Sequence, residues 1–311
     1  MSVSSRFVLQ QGPMLATLGR TAVRALAQQF GQARTGAPVI PSPVITRTMP
    51  PPASSLIDAY IAHLGGDPRS YKGSVPPHFF PQWSVPVAAE TLAGVPYPIV
   101  KVLNAGCRME INARIPRGEP LEVRAQLTSI DDDGRRAILT QRIVTSTASA
   151  PDALVCEVYA LVPLRGGNGN GSRDKSAEKP KASDKPRVPE DAEEIGSVRL
   201  AGDAGLSFAK LTGDFNPIHW IPAAAKASGF RNVILHGFGT FARACEGLNK
   251  GLFGGDVTRL RNIDVKFTRP LVLPHEVGIF VLGQPAREVF VGDAKGGPAY
   301  MTGRFETGDK R

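Results

Sequence analysis

The sequence predicts an α+β chain that runs one plan twice, a short amphipathic helix followed by consecutive antiparallel strands. Three observations carry this. Between Leu56 and about Arg165, four β-branched, partly alternating runs follow helical stretches. A second helix-then-strands series fills the chain from residue 189 to its end. Between the two, GGNGNGSRDKSAEKPKASDK (Gly166 to Lys185) has almost no apolar content, which is how flexible linkers read.

Taken in order, residues 1–50 come first as a basic extension. No Asp or Glu precedes Asp58, while Arg6, Arg20, Arg24, Arg34 and Arg47 are spread through Ser-, Ala- and Gln-rich sequence. The stretch PMLATLGRTAVRALAQQF places Met14, Leu15, Leu18, Val23, Leu26 and Ala27 roughly on one helical face. It reads as a helical extension packed on, or tethered to, the globular part. Mitochondrial transit peptides have the same acid-poor, Arg-containing composition, so the matrix is the alternative to a cytoplasmic location. PVIPSPVITRTMPPPASS then reads as an extended, proline-rich connector.

Residues 51–165 form the first expected domain. LIDAYIAHLGG is a short amphipathic helix ended by glycines, and VAAETLAG a second one after the mixed aromatics and prolines of PHFFPQWSVP. Strands are expected within VLNAGCRMEINARI, EPLEVRAQLTSI, RRAILTQRIVTS and ALVCEVYALVPL, with turn signals at PRGEP and DDDGR. After the linker at 166–188, residues 189–311 form the second domain. EEIGSVRLAG opens it as a strand. A central helix is expected from Gly237 to about Leu252, then strands near RLRNIDVKFTRPLVL, EVGIFVLGQPAREVFVGDA and PAYMTGRFETG.

Composition narrows the classes of function. The 311 residues, 42% hydrophobic and 21% charged, suit two domains that each bury a core. No stretch is long and apolar enough to span a bilayer as a helix. Cys107, Cys156 and Cys245 are too scattered for a disulfide framework or a zinc site, which points to a reducing compartment. The net charge of +9 raises nucleic acid as a partner, but the charge is dispersed and no zinc finger, basic helix or aromatic-rich basic strand accompanies it. An anionic substrate fits that balance better.

The chemistry concentrates in Phe208 to Gly237. Gly213 and Pro217 keep GDFNP out of a helix, so Asp214, Asn216 and His219 project from a nearly rigid turn between two helices. A carboxylate and an imidazole converging there can take a proton from one substrate atom and deliver one to its neighbour. Asn216 can hold either group or a water. At His236-Gly237 a helix begins, and its free N–H groups suit a developing oxyanion. A lone Asp or His in a loop is more often a turn former or cap. Gly-Asp-x-Asn-Pro-x-His with Ala225 and His236-Gly237 downstream is far harder to obtain by chance.

That stretch resembles the signature of the MaoC-like dehydratases, the (R)-specific enoyl-CoA hydratases of the hotdog superfamily. Phe208, Leu211, Thr212, Gly213, Asp214, Asn216, Pro217, Ile218, His219, Ala225, Gly229, Phe230, His236 and Gly237 carry the match. Ile221, where many relatives have an acid, departs from it. The resemblance implies two fused hotdog domains, each an antiparallel sheet wrapped around a central helix. The first lacks the motif and reads as degenerate, with Phe79, Phe80 and Trp83 as either an acyl-pocket wall or core.

By the same resemblance, Asp214 and His219 would add water across a trans-2-enoyl-CoA or run the reverse dehydration. Asn216 would orient them and the Gly237 amide would stabilise the enolate. No cofactor or metal is implied, the coenzyme A thioester being substrate. Two alternatives stand beside this reading. One is a 3-hydroxyacyl-ACP dehydratase of fatty-acid or polyketide synthesis; the other is a non-catalytic acyl-CoA-binding subunit. A homodimer of the fused chain is one assembly open to it, although no sequence feature specifies it.

Overall fold

The computed structural model describes residues 3–12, 14–16, 19, 38–98, 102–164 and 185–308. The expected linker, Gly166 to Lys185, lies almost wholly outside these residues, as does most of the expected N-terminal helix. Twelve strands are present among the described residues: β1 (Ile45–Met49), β2 (Ser74–Val75), β3 (Leu103–Ile111), β4 (Ile115–Pro116), β5 (Leu121–Asp132), β6 (Arg136–Ser146), β7 (Leu154–Pro163), β8 (Glu193–Leu200), β9 (Leu260–Phe267), β10 (His275–Leu282), β11 (Glu288–Gly292) and β12 (Ala299–Thr307). Five α-helices accompany them: α1 (Ser54–His63), α2 (Pro81–Thr91), α3 (Ala204–Thr212), α4 (Pro222–Ala227) and α5 (Gly237–Gly247).

Ten strands make one antiparallel sheet in the order β1-β5-β6-β7-β3-β9-β12-β11-β10-β8. The order reads the same from either edge. β8 pairs with β10 as β1 pairs with β5, and the halves meet where β3 and β9 run antiparallel, Cys107 opposite Val265 and Met109 opposite Ile263. The proline-rich connector therefore contributes an edge strand, the counterpart of β8. Prolines flank it on both sides, which a strand tolerates at a sheet edge.

Alternation fixes which face each strand buries. Leu121, Val123, Ala125 and Leu127 of β5 point inward, and α2 packs across β5, β1 and β6. That helix starts earlier than VAAETLAG, at Pro81, because proline at the first helical position loses no hydrogen bond. Phe79, Phe80 and Trp83 are fully buried. Phe79 packs on Tyr60 and Trp83, and Phe80 sits edge-on to Phe238 with ring centres 5.2 Å apart. They are core residues that join the halves.

The equivalent helix of the second half, α5, continues into a π turn at Leu248–Leu252. Phe238, Phe241, Ala242, Cys245 and Leu248 form its apolar face, as the sequence spacing predicts. Its other stripe, Arg243, Glu246 and Asn249, is buried too. Arg243 Nη2 donates to His63 Nε2 at 3.1 Å; Glu246 Oε1 accepts from Tyr71 at 2.6 Å and lies 3.1 Å from His78 Nε2. Asn249 Nδ2 donates to the Tyr71 hydroxyl at 3.3 Å. The first half thus covers the polar side that would face water on an isolated amphipathic helix. His63 and His78, which stand beside no matching acid and asparagine in the sequence, meet their partners across the fold.

Candidate active site

The site is built at the end of α3. Ala204, Phe208 and Leu211 recur at helical spacing and are buried, and Phe208 packs toward Tyr60 of α1. The helix stops at Gly213, whose φ of +83° is the left-handed cap conformation that glycine adopts without strain, its N–H donating to Ala209 O at 2.7 Å. Asp214 follows immediately. Its Oδ1 accepts the Asn216 N–H at 3.2 Å, and Asn216 Oδ1 accepts the Ile218 N–H at 3.4 Å, opening the tight 3-10 turn Pro217–His219. Asn216 therefore acts on His219 through the turn that carries it.

His219 is buried, and its Nδ1 lies 2.8 Å from Ile234 O. A carbonyl only accepts, so Nδ1 carries the proton and Nε2 keeps a lone pair. Burial pushes the imidazole below its usual pKa, against the upward pull of Asp214 and the Ile234 carbonyl. The side chain is thus held neutral and basic at one defined nitrogen. Asp214 keeps its side chain 39% exposed, so the carboxylate reaches the open side of the site while the imidazole stays sheltered.

The structure adds His236, which the sequence reading counted only as part of the signature. It caps α5, and its ring stacks on His219 with centres 3.6 Å apart. Nε2 donates to Asp214 O at 2.9 Å, tying the start of α5 to the acid's own backbone. Burial, with the neighbouring His219 reinforcing it, lowers His236 to a pKa of about 3, so it is neutral. Among the described residues its Nδ1 has no hydrogen-bond partner. Asp214, His219 and His236 each present a side-chain atom within 4.8 Å of the others. The signal in the sequence was a histidine where Ser, Thr, Asp or Asn usually caps a helix.

Gly237 begins α5 directly after this cluster. The N–H groups of Gly239 and Thr240 are taken by His236 O, and helical geometry leaves those of Gly237 and Phe238 without partners inside the helix. A β-carbon at 237 would stand 2.6 Å from the Phe267 ring, so only glycine lets that ring close over the helix start. A second glycine works at a distance. A β-carbon on Gly205 of α3 would meet His219 O at 1.9 Å, so α3 is pressed against the turn carrying His219.

Residues 188–290 match the MaoC like domain family. That segment belongs to the MaoC-like family. It is 28% identical over 188 residues to a protein named probable enoyl-CoA hydratase 2 of Dictyostelium discoideum, a match covering 60% of this chain and 63% of that one. The chain thus spans less than two thirds of the length of the curated relatives it matches first. The HtdX structure of Mycobacterium tuberculosis superposes with a TM-score of 0.66 at 19% identity, over 85% of this chain and all of that one. Another M. tuberculosis structure, described as a double hotdog fold, superposes with a TM-score of 0.56 at 13% identity, over 86% and 96%. The two halves of the chain, each a sheet around its central helix, are such a double hotdog.

Proposed function

We propose that the chain hydrates trans-2-enoyl-CoA to (R)-3-hydroxyacyl-CoA, or runs the reverse dehydration, with Asp214 and His219 as the acid–base pair. The observation that carries this is the convergence, within one loop and one helix start, of an exposed carboxylate, a neutral imidazole with a free Nε2, and unpaired amides. A water held between Asp214 and His219 Nε2 adds its oxygen to C3 of the enoyl chain, and one of the pair takes its proton. The C2–C3 π electrons move onto the thioester as an enolate, which the Gly237 amide stabilises. The proton taken from water, held within the Asp214–His219 pair, is then delivered to C2. The thioester carbonyl itself makes the C2 proton exchangeable, so the reading needs no cofactor.

In this reading residues 189–311 are the catalytic half. Residues 51–165 are the half that lost the motif and shapes the site. Three buried free cysteines suit a reducing cytoplasm, and Phe7 and Met14 packed into the protein favour that location over an imported matrix form.

The test is loss of the enoyl-thioester absorbance when the purified chain meets crotonyl-CoA and longer trans-2-enoyl-CoAs, with Asp214→Asn and His219→Ala alongside. Removing either member costs about 10²- to 10⁴-fold in rate, and chiral analysis gives the (R) product. Activity confined to enoyl-ACP would replace coenzyme A by the carrier protein. Silence on both would leave an acyl-thioester-binding subunit.

A further inference from the structure

The N-terminal extension lies outside the matched domain, yet its described part touches the catalytic loop. Ser5–Gln10 forms a 3-10 turn, and Phe7, Gln11 and Met14 are buried. Gln11 Nε2 donates to Leu211 O at 2.9 Å and approaches Lys210 O at 3.3 Å. These carbonyls belong to the last turn of α3, where the helix supplies no N–H donors of its own. Gln11 Oε1 accepts from Gln82 Nε2 of α2 at 3.3 Å, so one side chain bridges both halves. Lys210 Nζ reaches back to Val3 O at 3.0 Å. Met14 roofs the loop: its Cβ and Cγ lie 2.7 Å from where a β-carbon on Gly213 would sit.

Gln11 thus holds the carbonyls two and three residues ahead of Gly213, and Asp214 is the next residue along. A helix end left to fray would let Gly213 swing, carrying the Asp214 carboxylate and the backbone oxygen that anchors His236. We propose that Gln11 is a positioning residue for the Asp214–His219 pair, acting from the N-terminal extension through the last carbonyls of α3. The inference rests on the hydratase reading above and assigns the extension a part in that same site.

The full-length chain carries the test, with Gln11→Ala, Gln11→Glu and Gln82→Ala. Gln11→Glu keeps the size and the acceptor but turns an oxygen toward two carbonyls. Gln82→Ala removes the link to the first half and leaves the donation intact. Well below every variant's melting temperature, both Gln11 variants lose about 10- to 100-fold in kcat on crotonyl-CoA, because displacements of an ångström in a catalytic group cost that much. KM stays near the wild-type value, the amides of Gly213 to His219 exchange with solvent faster, and Gln82→Ala stays near wild type in both readouts.

Wild-type kcat in a folded Gln11→Ala overturns the proposal. So does a loss in Gln82→Ala equal to that in Gln11→Ala, since the effect would then belong to joining the halves. If Gln11→Ala does not fold, Gln11→Met, which keeps the length without a donor, carries the same expectations. If the wild type hydrates neither CoA nor ACP thioesters, the functional reading fails by itself. Hydrogen exchange at Gly213 to His219 then decides the positioning role, and rates unchanged by Gln11→Ala overturn it.

Discussion

Gly205→Ala should cripple catalysis without touching any group that meets substrate. The added β-carbon would stand 1.9 Å from His219 O, and contacts under 3.0 Å essentially never occur, so the oxygen or the helix must yield by at least the 1.1 Å difference. The two ends of the catalytic loop answer differently to that push. Asp214 is tied to α3 through the Gly213 cap, whereas His219 sits on the separate turn that the new methyl strikes. The displacement therefore changes the spacing between acid and base. An ångström of misplacement costs about 10²-fold in rate, and overpacking itself costs about 1–3 kcal/mol in stability. Gly202→Ala is the control, since nothing lies within 4 Å of its β-carbon position. The assay is kcat on crotonyl-CoA at a temperature where both variants are folded, with thermal melts alongside. A Gly205→Ala enzyme of wild-type kcat would refute the claim that α3 sets the position of His219.

Two further predictions concern stability. Glu246→Ala should lower the urea midpoint at constant m, a loss of about 1–3 kcal/mol, because it removes the buried acceptor that Tyr71 and His78 share; no measurable loss would show the cluster to be indifferent to its acid. Acid should destabilise the chain from about pH 6.5 downward. His236 and His63 are both held near pKa 3, first of all by burial, while the unfolded chain protonates them at the ordinary value near 6.5. The unfolded state then binds more protons below pH 6.5, so stability is complete above that pH and falls toward pH 3 by about 1.4 kcal/mol per unit per histidine. Denaturant midpoints between pH 7 and 5 check it: wild type should lose this stability, and His63→Gln should lose less of it. Invariance over that range would show that neither histidine is held neutral.

Much of the fold was legible because local signals and the global plan agree. The alternation of β5 and β6, the glycine stop of α3 and the apolar spacing of α5 each point to the element found. The catalytic loop was legible for a similar reason, since Gly213, Pro217 and the polar residues between them dictate a turn whatever surrounds it. What escaped depends on tertiary neighbours. ITRTM reads as connector because only pairing with β5 makes it a strand. Gly205 is an unremarked helical glycine until the His219 carbonyl is seen to lie against it. His236 is marked locally only as an unusual helix cap; its stacking on His219 needs the chain to return to the same place after Ile234. The polar stripe of α5 carries no local mark of burial, and is buried because the first half brings His63, Tyr71 and His78 to it.

That stripe also explains why a half without the motif persists. The amides at the start of α5 are as well placed as the helix that carries them, and a helix moves as a rod. From Gly237 to Glu246 is nine residues, about 14 Å along the axis. A clamp at Arg243 and Glu246 therefore fixes both the height and the rotation of the Gly237 amide. Phe80, seated edge-on against Phe238, fixes its lateral position. On the proposed hydratase reading, the first half needs no Asp, Asn or His of its own, because its part is to hold α5. Loss of His63, Tyr71, His78 or Phe80 would loosen the helix start that carries the proposed oxyanion donor.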